Sequence, residues 1–150
     1  EDLHPSNHYR HAAEVFQEIA QSCPSYSQIE SVEYSIPLCF WRLLSDGSLI
    51  SEGRWGGGYD LEMAVSQGFQ AFAEKYPRSS MADEALYQAG VRHYWVSHQS
   101  DSSLIRCNMT KIVAEHPDGD VLAAYATENA FLEAAIVERK FADFRPGAER

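Results

Sequence analysis

The chain has 150 residues, 45% of them apolar and 23% charged, with a formal net charge of −10. That is one domain's worth of globular chain, long enough to bury about two-thirds of its unfolded surface. No apolar run approaches the ~18 residues that suggest a membrane span, and no basic cluster offers the patch by which duplex-binding domains hold phosphates, so neither a span nor a nucleic-acid partner is expected.

Glu1 stands where an initiator Met would, which is expected of a chain that lost a leader or of a fragment. Residues 5–22 predict a first helix. Pro5 suits an early helical position, where its missing N–H costs nothing, and Ala12, Val15, Phe16, Ile19 and Ala20 recur at helical spacing. Cys23-Pro24 opposes continuation, a weak version of the helix-to-proline ending met again later in the chain.

Between Ser31 and Gly58 the character changes. Ser35, Ile36, Leu38, Cys39, Phe40, Trp41, Leu43 and Leu44 lead into Ser45-Asp46-Gly47-Ser48, then into Leu49 and Ile50. Asp46-Gly47 between two apolar runs signals a turn, because glycine accepts the positive φ that tight hairpins need. A β-hairpin over about 35–55 is the favoured reading; a helix over about 34–44, ended by Asp46-Gly47, is the competing one. Residues 1–60 then form a helix-plus-hairpin cap.

Past Gly56-Gly57-Gly58 the periodicity is helical. Leu61 to Tyr76 carries Val65, Phe69, Phe72, Ala73 and Tyr76 on one side, with Asp60 placed to cap it. Ser80 to Val96 presents Ala82, Ala85, Leu86, Ala89 and Gly90, with Ser79 or Ser80 as cap and Asp83 and Glu84 in the first turn. Leu104 to His116 follows, and a last long helix starts at Gly119-Asp120 and runs through Ala123, Ala126, Ala130 and Ala134. Residues 141–150 read as a frayed tail. Of the three cysteines, Cys107 is expected in the core, and Cys23 with Cys39 is the pair to test for a bridge.

One stretch occurs twice. Phe72, Tyr76-Pro77, Ser79-Ser80, Ala82, Ala85, Tyr87 and Gly90 are echoed by Ile112, His116-Pro117, Gly119-Asp120, Ala123 and Ala126, and the two prolines lie 40 positions apart. A period of this length, built from helix, proline turn and alanine-faced helix, indicates stacked helical hairpins. Ala82, Ala85 and Ala89 seat the large inserts Phe69, Phe72 and Tyr76 of the neighbouring helix.

These residues resemble the tetratricopeptide-like repeats of bacterial periplasmic proteins, of the outer-membrane-assembly lipoprotein and Tol–Pal coordinator type. The likeness covers about residues 61–140. It implies a mainly helical fold and a periplasmic scaffold that binds other protein subunits of an envelope or membrane complex. The second unit departs from the pattern, with His116 for the tyrosine, an extra residue near Gly119-Asp120 and no later glycine.

Each candidate site has plain packing as its competing account. His4, His8 and His11 fall on one helical face and are weak candidates to share a metal ion; a solvated face is the simpler account. His93 and His98 suit a helix C-terminus. Arg54 and Trp55 before the glycines, Tyr59 after them, and Tyr94 and Trp95 are the residues chosen for partner contact, since exposed Trp, Tyr and Arg anchor interfaces. The carboxylate pairs Glu14 with Glu18 and Glu128 with Glu133 read as ordinary exposed faces. The expectation is a single mainly helical domain that binds protein without catalysis and without a cofactor. The alternatives are an accessory subunit of a metal- or cofactor-bearing enzyme and a small acidic neutraliser of a basic partner.

Overall fold

Three times the chain leaves a helix through the same proline turn. The computed structural model describes residues 5–45 and 57–144, and among them the backbone forms seven helices and no strand. These are α1 (Pro5–Ser22), α2 (Ile29–Ser45), α3 (Gly57–Lys75), α4 (Ala82–Val96), α5 (Ser103–Glu115), α6 (Asp120–Tyr125) and α7 (Ala130–Asp143). After α1, the Cys23 N–H donates to the Ile19 carbonyl at 2.8 Å and the Tyr26 N–H to the Cys23 carbonyl at 3.0 Å. After α3, Tyr76 and Ser79 repeat the two bonds to Phe72 and Tyr76 at 2.9 and 3.0 Å. After α5, His116 and Gly119 repeat them to Ile112 and His116 at 2.8 and 3.1 Å. Pro24, Pro77 and Pro117 occupy the same step of each turn, where the absent N–H stops the helix.

The packing order follows the chain. Each of α1 to α4 lies against the next helix, α5 lies against α7, and the short α6 bridges α4 and α5. Val65, Phe69 and Phe72 of α3 meet Ala85, Leu86 and Ala89 of α4, and Ile105, Met109 and Ile112 of α5 close the other side. The alanine seat and its aromatic inserts therefore stand as expected, with Tyr76 only half-buried. Two buried polar ties cross these helices. Ser66 Oγ donates to the Ala89 carbonyl at 2.8 Å, and Asn108 Nδ2 donates to the Leu86 carbonyl at 2.9 Å and to Gln70 Oε1 at 2.8 Å.

The hairpin expected over 35–55 is not formed: residues 35–45 belong to α2, and the remaining positions, Asp46-Gly47 included, lie outside the described residues. The physical reason is that α2 is packed on both sides, by α1 and by α3. Val32, Cys39 and Leu43 are buried, while Tyr34, Leu38, Phe40, Trp41 and Leu44 are half-buried against the core. A helix covered from two directions is apolar nearly all round, and in sequence that cannot be told from a strand by period. Residues 5–45 are thus a helical hairpin joined by the same turn as the later ones.

Other expectations change in detail. The long last helix is two, because Asn129 takes an extended conformation and its side chain accepts from the Phe131 and Leu132 N–H groups at 3.0 and 3.2 Å, starting α7 anew. Asp60 lies inside the first turn of α3 rather than at its cap, and the cap position of α4 is Met81. Cys107 faces solvent on α5, between the exposed Arg106 and the buried Asn108. Cys23 and Cys39 are unbridged: one is exposed in the turn, the other buried on α2, where burial pushes its thiol pKa up.

Candidate functional site

The third turn and the break at Asn129 together leave an opening at the C-terminal end of the array. Because α6 has only six residues and α7 folds back onto α5, a strip of the outer side of α5 lies open between them. Val113, Ala114, Pro117, Leu122, Ala126 and Ile136 line a groove of about 410 Å³, with Arg139 and Lys140 on its α7 wall. Val113, Leu122 and Ile136 also pack against the core, so their positions are held from below. Two cations on one wall stand out in a chain of net charge −10. Among the described residues neither of them takes part in an ion pair.

A second feature is the corner after α4. Trp95 is 57% exposed, whereas Tyr94 is half-buried, 5.0 Å from the Phe131 ring in an edge-to-face contact and 6.3 Å from Trp95. The backbone that follows is held in an unusual way. His98 and Gln99 have φ of 53° and 64°, a region that L-residues other than Gly, Asn and Asp seldom occupy. The Gln99 N–H donates to the Tyr94 carbonyl at 2.9 Å, and Ser97 Oγ donates to the same oxygen at 2.9 Å. Asp101 then accepts from Ser103 Oγ at 2.6 Å and from the Ser103 N–H at 3.0 Å, bonds that hold its carboxyl below its ordinary pKa. Trp95 is therefore presented on a fixed corner, and Tyr94 is the packing link between α4 and α7.

The remaining candidates divide. His8 and His11 are exposed on α1, with His11 Nδ1 3.7 Å from Glu14 Oε2; His4 lies outside the described residues. Among the described residues no group of three or more His, Cys, Asp or Glu side chains is placed to hold a metal ion. Arg54 and Trp55 lie outside the described residues, and Tyr59 falls in the first turn of α3. His93 Nε2 is 4.0 Å from Asp101 Oδ2, His98 is exposed, and Glu14, Glu18, Glu128 and Glu133 are all exposed. Tyr87 stacks on Tyr125 at 4.6 Å, a packing role. Tyr34, lodged between Phe69 and Phe72, has its hydroxyl pushed up to about 12 by burial and then by the charges of Glu84 and Asp83.

Sequence reasoning missed the groove residues Val113, Leu122 and Ile136, because an apolar residue facing a groove has the same spacing as one facing the core. It also missed the reach of Asp83. Buried to 2% exposure, this carboxylate accepts from the Glu84 N–H at 2.9 Å and, across the array, from the Val121 N–H at 3.1 Å, so it caps α6. No protein-family model, curated protein or solved structure matches the chain.

Proposed function

We propose that this chain is a non-catalytic protein-binding scaffold or accessory subunit of tetratricopeptide-like architecture, serving an envelope or membrane-associated complex in the bacterial periplasm. The groove between α5, α6 and α7 carries the reading. Its floor of Val113, Leu122 and Ile136 offers apolar anchor points for one more helix, and apolar anchors in a groove are how amphipathic helices are commonly held. Arg139 and Lys140 on one wall favour a partner helix with acidic residues beside its apolar stripe, and the negative charge elsewhere disfavours acidic segments at other places. The exposed Trp95 on its fixed corner supplies a second anchor of the kind that dominates interface energetics. The assignment to the bacterial envelope rests on the resemblance carried by Phe72, Tyr76-Pro77, Ser79-Ser80, Ala82, Ala85, Tyr87 and Gly90.

The test is affinity capture from native membranes with the unaltered chain and with Val113→Glu, which sets a charge on the groove floor. A stoichiometric partner that the unaltered chain retains and Val113→Glu loses supports the reading. A chain that returns alone, or a partner held equally by both, refutes it.

A further inference from the structure

We propose that the outer face of α7 is a self-association surface through which two copies of this chain pair as an antiparallel helix dimer. One side of α7 is spent on the core: Leu132 and Ala135 are buried, and Phe131 and Ile136 are half-buried. The opposite side carries a second apolar row, Ala130, Ala134, Val137, Phe141 and Phe144, at successive spacings of 4, 3, 4 and 3. That alternation is the seam of a two-helix coil. Both alanines are exposed, and Val137, Phe141 and Phe144 are 50%, 70% and 83% exposed. Single apolar residues at a surface are ordinary; four in coiled-coil register on one helix, continued by Phe144 at its C-cap, mark a contact surface.

The side chains bordering the seam select the partner. Glu133 and Lys140 flank it on one side, and Glu138 on the other, all exposed. Parallel pairing of two copies sets Glu133 of one against Glu138 of the other, like charges at the positions that choose orientation. Antiparallel pairing with Ala134 opposite Val137 has the reverse effect. Ala130 then falls opposite Phe141, so Val137 and Phe141 each meet an alanine. Glu133 falls opposite Lys140 of the second copy, and the two-fold axis makes that pair twice. Sliding the copies by one heptad sets Lys140 against Lys140 and Val137 against Phe141, losing both the charge match and the size match. Size and charge therefore select the same register, and its occupant is a second copy.

This surface goes beyond the scaffold reading and lies on the other side of α7 from the core. The test is sedimentation equilibrium of the 150-residue chain from about 1 to 500 µM in moderate salt. A monomer–dimer equilibrium is expected, with Phe141→Glu monomeric throughout and its far-UV circular dichroism unchanged, since that ring is exposed. Glu133→Lys and Lys140→Glu are each expected to weaken the dimer about tenfold, turning attraction into repulsion at both symmetric pairs. The double variant carrying both reversals should recover the original dissociation constant. A chain monomeric over the whole range, a dimer that survives Phe141→Glu, or a double variant no tighter than the single ones overturns the proposal. Phe141 does not line the groove, so Phe141→Glu should still capture the groove partner; loss of the dimer and loss of that partner are separately visible.

Discussion

Replacing Gly119 by alanine is expected to destabilise the fold by about 2 kcal/mol, almost entirely through a residue 36 positions away in the chain. Gly119 has φ −79° and ψ 167°, extended backbone open to any residue, so the backbone itself does not object. The obstacle is Asp83. A Cβ at Gly119 would come within 3.0 Å of Asp83 Cγ and closer still to Oδ2, the oxygen that accepts from the Val121 N–H. The carboxylate is nearly fully buried and also tied to the Glu84 N–H, so it has little room to turn away. Displacing it breaks a hydrogen bond to a charged group, about 1.5–3 kcal/mol, and leaves the first turn of α6 with an orphan donor. Reduced freedom of the unfolded chain offsets about 0.4–1 kcal/mol of this. Asp83→Ala removes the same bond, so it should cost a similar amount by itself. In that background the alanine at 119 has nothing to strike, and the double variant should equal Asp83→Ala alone or slightly exceed it in stability. The coupling, about 2 kcal/mol, is read from urea midpoints of the four proteins in a double-mutant cycle. Costs that simply add would refute the clamp.

Asn129→Ala should lose about 1 kcal/mol, because its side chain caps α7. Hydrogen exchange should quicken first at the Phe131 and Leu132 amides, whose acceptor it removes. A pH prediction concerns Glu33, which ties α2 to Lys75 of α3. Burial raises the Glu33 pKa, but hydrogen bonds from Lys75 and Tyr76 and the charge of Lys75 outweigh it, so it ends below its ordinary 4.5. With the folded value depressed, the tie contributes in full above pH 4.5 and is lost as pH falls through the lower folded value. Lys75 is 59% exposed, so the contribution stays below about 1 kcal/mol. Lys75→Met should lower stability at pH 7 and converge on the unaltered protein once pH has fallen through the lowered Glu33 value in acid-dependent urea melts; a constant gap would refute it.

What was legible in the sequence is what the backbone imposes. Pro24, Pro77 and Pro117 lack a donor and are each followed at once by a polar residue, unlike Pro37, which precedes Leu38 and stays inside α2, and Ala82, Ala85 and Ala89 permit close helix approach whatever surrounds them. Each of these residues therefore announces its structure locally. α2 does not, because its apolar residues are explained by helices on both sides of it, a tertiary fact with no local trace. The break at Asn129 was hidden by the alanines at 123, 126, 130 and 134, which keep helical spacing across it. Asparagine followed by an apolar run was the available cap signal. Of the candidate site, Trp95 was named from the sequence, but its exposure was not legible there, since plain packing is an equal account of a tryptophan on a helix. The groove was not, since its floor is apolar for the same reason the core is.

The clamp at Asp83 also bears on why the groove is open. Glu30 is second in α2 and seven residues past Cys23; it accepts from Ser79 Oγ, in the next turn, at 3.2 Å. Asp83 is second in α4 and seven residues past Tyr76; it reaches Val121, just beyond the next turn. A carboxylate at one place in each unit therefore joins it to the unit that follows. In the third unit the corresponding places hold Val121, second in α6, and Ala123, seven residues past His116. Neither has a carboxylate to extend. The polar joint that fixes one unit to the next is thus made twice and then stops, while the apolar surface beside it continues into the groove. Under the proposed function, a segment seated there would touch Val113, Leu122 and Ile136 and meet the charges of Arg139 and Lys140, without the buried clamp that holds the chain's own units. A contact held that way would open more readily than the clamped ones, in keeping with the proposed binding role.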